Sequence, residues 1–89
     1  MKTIFKYPFE ITGLFELKLP AGAKILTAFI QNGQPCLWAE VDTEKQLQTE
    51  RFAVIGTGNP IPDNIRDKQH IATFPDRWFI WHLFKVVLK

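Results

Sequence analysis

Asn32-Gly33, set between two apolar runs of strand length, limits the folds open to this chain more than any other pair of residues. A two-residue type I′ turn needs φ > 0 at both central positions, and Asn-Gly accepts that at little cost. Lys24–Gln31 before the pair is rich in β-branched and aromatic residues, and Cys36–Asp42 follows it. The two runs are expected to form an antiparallel hairpin. Pro35 has no amide to donate, so the second strand should begin beside an unpaired position or a sheet edge.

The rest of the chain reads as further short strands. Thr3–Tyr7 and Leu14–Leu19 are separated by Pro8 and Gly13. In the second run Phe15, Leu17 and Leu19 share one side and Leu14, Glu16 and Lys18 the other, which is the period of a half-buried strand. Pro20-Ala21-Gly22-Ala23 ends it. In Leu47–Ile55, Phe52 and Val54 alternate with Arg51, Ala53 and Ile55, after a polar connection over Thr43–Gln46. Asn64–Lys68 is expected to form at most a helical turn, because so short a segment cannot sustain a helix. His70–Phe74 and Trp78–Leu88 close the chain, joined by the turn-forming trio Pro75-Asp76-Arg77.

In that last run Trp78, Ile80, His82, Phe84, Val86 and Leu88 fall on one face, and Phe79, Trp81, Leu83, Lys85 and Val87 on the other. A strand apolar on both faces needs two covering layers or a partner chain. The pattern predicts an all-β protein, a small sandwich or open barrel of about six to seven mostly antiparallel strands. At 89 residues it is a single domain over 1–89. It is also expected to be a homo-oligomer, since so small a domain has limited interior for eight Phe and three Trp.

Composition removes several function classes. Eleven Lys and Arg against nine Asp and Glu give a net charge of +2. The basic residues are scattered among acids, unlike the clustered stripe of a nucleic-acid tracker. One cysteine, Cys36, allows neither an internal disulfide nor a cysteine-rich zinc site. It reads as a small buried apolar residue. No apolar run reaches membrane-spanning length, and Met1–Tyr7 lacks a signal core. A cytoplasmic protein without cofactor or membrane partner is expected. A metal site needs three or four convergent ligands, and the chain offers Cys36, His70, His82 and scattered carboxylates. His82, among Ile80, Phe84 and Val86, reads as a hydrogen-bonded core or interface histidine. Nucleophile elbow, Walker loop and zinc-helix motifs are all missing, so enzyme activity is not expected.

The segment Gly56-Thr57-Gly58-Asn59-Pro60-Ile61-Pro62-Asp63 is the most unusual in the chain. Its glycines permit φ > 0 and close approach of a ligand, and its prolines stiffen it. It reads either as a rigid crossover between sheets or as an anion-binding concavity of amides at Gly56, Thr57 and Gly58. In the second reading Asn59 adds a polar group, Arg51 or Arg66 a charge-assisted contact, and Trp38 a face for stacking on a flat group.

Lys6-Tyr7, Leu19–Leu26, the run Gln31-Asn32-Gly33-Gln34-Pro35-Cys36-Leu37-Trp38-Ala39-Glu40-Val41-Asp42, Gly56–Ile61 and Trp81–Phe84 together resemble a family of small phage- and prophage-encoded proteins. Members often read Gly-Thr-Gly-His-Pro where this chain has Asn59. The resemblance implies a phage or prophage origin and carries no activity, cofactor or site residue. The expected function is that of a non-enzymatic accessory binding protein. Its ligand would be a nucleotide-like small molecule or a host protein, held at an oligomer interface. The alternatives are a nucleic-acid-binding small β-barrel and a structural virion or assembly component.

Overall fold

Seven strands carry the chain in a computed structural model that describes every residue from Met1 to Lys89. They are β1 (Lys2–Pro8), β2 (Leu14–Pro20), β3 (Lys24–Gln31), β4 (Gln34–Asp42), β5 (Leu47–Gly56), β6 (Ile65–Asp76) and β7 (Phe79–Leu88). A three-stranded sheet, β1-β4-β3, lies against a four-stranded sheet, β2-β5-β7-β6, and every pair is antiparallel. β3 and β6 come close where the two sheets meet, and β2 lies over β4. The result is a thin sandwich, 40 × 34 × 16 Å between Cα extremes, of the predicted all-β class.

The inner faces follow the period of two. Leu19, Phe52, Val54, Phe74 and Leu83 of the larger sheet meet Ala28, Leu37, Ala39 and Val41 of the smaller. Phe9, between β1 and β2, joins them through a stack of rings: Phe9 on Phe15 at 4.9 Å and Phe15 on Phe52 at 5.3 Å. No polar or charged residue is fully buried, but the indole Nε1 of Trp81 is buried against the core without a hydrogen-bond partner, a desolvation cost that the surrounding apolar packing offsets.

The β3–β4 turn has φ of 50° at Asn32 and 79° at Gly33, with Gln31 facing Gln34. Both central residues take the sign that a type I′ turn requires. Pro35 also sits where its chemistry allows. Its carbonyl accepts from Phe9 N at 3.0 Å on the β1 side. The β1 ladder ends one residue further on, at Pro8–Cys36, so no ladder amide is missing.

Two expectations need correction. Asn64–Lys68 forms no helical turn; β6 is a continuous strand of twelve residues from Ile65, with bulges near Arg66 and Ile71. Each bulge adds a residue and shifts the alternation, which hides the strand period in sequence. Trp78 is not in β7 but in the two-residue turn before it, closed by the pair Asp76–Phe79. Pro75 belongs to β6, an edge strand where its missing amide is tolerated.

β7 lies between β5 and β6. Leu83 and Trp81 face the main core. On its opposite face Val86, Phe84 and Leu88 pack with Ala53, Ile55 and Ile65 in a second apolar cluster. Both faces of β7 therefore find apolar partners within one chain, and its apolar character alone does not require a second copy.

The route from β5 to β6 accounts for the glycine–proline segment. Both strands run antiparallel to β7 and flank it, so they are parallel to each other. β5 ends with Gly56 beside Trp81, and β6 begins with Ile65 beside Leu88. The connection must travel the intervening length of β7, about 23 Å at ordinary strand rise. Thr57–Asn64 spans that with a turn at each end, Asn59 N donating to Gly56 O at 3.0 Å and Ile65 N to Pro62 O at 3.4 Å, and an extended stretch between the turns. Pro60 and Pro62 favour that conformation. The segment is thus a strap within one sheet, crossing over β7, rather than a connection between sheets.

Candidate functional site

The six residues singled out from sequence do not converge. Gly56, Thr57, Gly58 and Asn59 lie at one end of β5 and the start of the strap. Arg51 is five residues back along the same strand, ion-paired with Glu16 of β2 at 2.9 Å. Trp38 is in the other sheet, stacked on Phe29 with centroids 4.3 Å apart and planes 20° apart. A single pocket built from all six is excluded.

Of the three amides expected to form a concavity, that of Thr57 is engaged within the fold, as is the neighbouring amide of Asn59. Thr57 N donates to Ile80 O at 3.1 Å and Asn59 N donates to Gly56 O at 3.0 Å. Those donors serve the fold. Gly58 has φ of 89°, which makes the tight turn possible, whereas Gly56 is required for another reason. A Cβ there would lie 2.8 Å from Asn59 Nδ2 and 3.1 Å from Trp81 Cζ3. The Asn59 amide and the Trp81 ring close over bare backbone at that point.

Thr57 does contribute a side chain to a chemical array, though not the expected one. Its Oγ1 is 2.7 Å from His82 Nε2; His82 Nδ1 is 3.0 Å from Thr73 Oγ1; and Thr73 Oγ1 is 2.8 Å from His70 Nε2. The row crosses from the strap over β7 to β6 on the outer face of the sheet. With the Thr57 hydroxyl donating to Ile80 O at 3.5 Å, each group has a role. His82 then donates from Nε2 and accepts at Nδ1 from Thr73, whose oxygen accepts from His70 Nε2–H. Neither imidazole has a carboxylate partner, and no three metal-ligating side chains gather anywhere. The array fastens the strap to two strands; His82 is hydrogen-bonded as expected, but it is half-buried on the outer face of the sheet and not in the core. Thr57 and Thr73 carry no local motif; the one available signal is that Ile55, His82 and Thr73 fall in register on one face.

Two adjoining clefts meet at Arg51. β5 and β7 pair only from Phe52–Lys85 to Gly56–Trp81. Beyond Phe52 the strands part: β5 continues beside β2, and β7 beside β6. The fork holds a cleft of about 520 Å³ lined by Thr49, Glu50, Arg51, Lys85, Leu88 and Lys89 among others. A second cleft of about 240 Å³, lined by Leu14, Phe15, Glu16, Arg51, Phe52 and Leu88, adjoins it. Arg51 and Leu88 line both. Lys85 Nζ is 3.1 Å from Glu50, so each carboxylate in the fork is matched by a cation, and Lys89 adds one more. The fork therefore holds two matched ion pairs and one cation in excess, Lys89, beside an apolar side, and the Arg51 guanidinium lines both clefts. Sequence reasoning misses Lys85, Lys89, Leu14 and Leu88, because their meeting with Arg51 depends on strand pairing that no local pattern encodes.

No curated protein and no solved structure matches the chain. The family model described as a domain of unknown function (DUF7352) matches residues 1–89, and the chain belongs to that family.

Proposed function

We propose that this chain is a non-enzymatic binding protein, and that it takes a small anion with a flat apolar part, of nucleotide type, in the fork at Arg51. The observation that carries the reading is the shared wall. Arg51 stands where a cleft bearing Lys85 and Lys89 joins one bearing Leu14, Phe15 and Leu88. A guanidinium has five donors in a plane and suits phosphate or carboxylate, while the aliphatic side chains of Leu14 and Leu88 suit the face of a flat apolar group. The phage or prophage setting implied by the sequence resemblance belongs to the same proposal.

The test is a titration of the ¹⁵N-labelled protein with AMP and, separately, with inorganic phosphate. Saturable amide shifts at Arg51, Lys85 and Leu88 are expected with AMP and weaker ones with phosphate. Arg51→Ala should lower AMP affinity by about tenfold, the worth of one charge-assisted contact. Shifts confined to other regions, or none at millimolar AMP, would refute the site. Binding of short single strands more tightly than AMP would favour the nucleic-acid alternative.

A second reading has its own observation. Trp78 is 91% exposed at the tip of the β6–β7 hairpin, followed by the exposed Phe79 and Ile80. Such an apolar tip suits a protein partner, a host factor in the setting above.

A further inference from the structure

The sandwich is not evenly covered, and the exception is β1. By register Thr3, Phe5 and Tyr7 face inward, opposite Val41, Ala39 and Leu37, which are all buried. Yet Phe5 is 43% exposed, because β2 lies over β4 and leaves β1 overhanging. On the other face Ile4 is 57% exposed. β1 is also the free edge of its sheet, with one side of its backbone unpaired. An edge with exposed apolar side chains on both faces is the kind that natural proteins block or pair.

The usual blocks are lysine and proline. β1 carries such blocks at its two ends, Lys2 and Pro8, but within the strand Lys6 Nζ is held across the sheet by Gln31 Oε1 of β3 at 2.9 Å, away from the edge. We infer that β1 pairs with β1 of a second copy about a twofold axis through Phe5, joining two three-stranded sheets into one of six strands. Phe5 is the midpoint of Lys2–Pro8. That axis sets Phe5 opposite its own copy, Thr3 opposite Tyr7, Ile4 opposite Lys6 and Lys2 opposite Pro8. No two like charges stand directly opposite, although Lys6 lies diagonal to its own copy, and the inward row becomes Tyr7, Phe5, Phe5, Tyr7. Within one chain Phe5 and Tyr7 already meet edge to face at 6.4 Å, so the row extends an existing aromatic contact. The inference is independent of the ligand at Arg51, which lies in the other sheet.

The pairing predicts opposite effects for two charges at one position. Ile4→Lys places lysine opposite Lys6 of the partner, twice over because of the symmetry. Ile4→Glu places a carboxylate there instead. In sedimentation equilibrium at micromolar concentrations the wild type should show a monomer–dimer equilibrium. Ile4→Lys should raise its dissociation constant by about tenfold or more, and Ile4→Glu should leave it equal or lower. Melting temperatures taken well below the dissociation constant of the dimer read the fold separately, and there both variants should keep the wild-type value since Ile4 is exposed. A Phe5→Cys variant supplies a geometric check. Its two thiols would stand within disulfide reach across the axis, and Cys36 is buried and does not compete. Rapid oxidation to a covalent dimer, faster than with Lys45→Cys, supports the axis. A wild type that stays monomeric, variants of Ile4 that dimerise alike, or a Phe5→Cys protein that cross-links no faster than the control would each overturn it.

Discussion

The two tight hairpin turns of this protein, Asn32-Gly33 and Arg77-Trp78, connect strands in the same way and are filled in opposite ways. The first has the residues its backbone asks for: φ of 50° and 79° fall on Asn and Gly. The second puts φ of 59° on Arg77, followed by Trp78 with φ of ordinary sign. That sign pattern belongs to a type II′ turn, whose first central residue is normally glycine. An arginine there is strained by about 1–2 kcal/mol. The β3–β4 turn is thus chosen for stability, while the β6–β7 turn is held by its flanking ladder and displays a tryptophan. Strain of this kind persists where the surrounding structure overrules it, and ten paired positions of β6 and β7 supply that constraint.

The largest effect should come from spoiling the good turn. Gly33→Val should destabilise the fold by about 2 kcal/mol, since a β-branched residue resists φ > 0. Nothing lies within 4 Å of the added Cβ, so conformation alone is tested. Urea unfolding measures it, and an unchanged midpoint would show that this turn is not built for stability. Repairing the poor turn should act the other way. Arg77→Gly should stabilise by about 0.5–1 kcal/mol, the relief of strain being partly offset by the greater entropy of glycine when unfolded. Destabilisation instead would mean that the Arg77 side chain holds the hairpin.

Trp78→Ser should change stability by less than about 0.5 kcal/mol, as expected for a side chain that touches little. A large loss of melting temperature would show that the ring packs, and would remove the contrast between the turns. The smallest effect concerns the β4–β5 connection. Asp42 accepts from Glu44 N at 3.1 Å, and its carboxyl is held below the usual value by that bond first, with the N-terminal ammonium and Lys45 adding to it. A depressed carboxylate contributes stability above its unfolded value and loses that contribution as pH falls through its folded one. Asp42 should therefore titrate below a free aspartate by NMR, and this turn should loosen only in that acid range. Asp42→Asn should flatten the dependence.

How far the fold is legible in the sequence follows the same division. The β3–β4 hairpin is readable because its turn and both strand periods are local. β6 is not, since its two bulges and the polar stretch Lys68-Gln69-His70 break the alternation. The pairings of β1 with β4 and of β5 with β7 join segments far apart in sequence, and side-chain pattern says which face is apolar but not which strand lies alongside. The same limit governs the site. Arg51 stands out for its charge and lines both clefts, but its neighbours there come from β2 and β7. Gly56–Asn59 stand out for backbone freedom, and the structure uses that freedom to begin a strap.

The position of β7 has a consequence for how the molecule assembles. It is the seventh strand in sequence yet an interior strand of its sheet, between β5 and β6 and beneath the strap that links them. Until β7 is present, β5 and β6 have no common neighbour, and the strap has nothing to cross. Closure of the four-stranded sheet must therefore wait for the final segment to slot into a gap that earlier segments cannot hold open alone. Such dependence on distant partners makes for slow folding, on the order of milliseconds to seconds for β-sandwiches. During that interval β5, with its buried run Phe52–Gly56, is paired only on its β2 side and is the segment most open to capture by another chain.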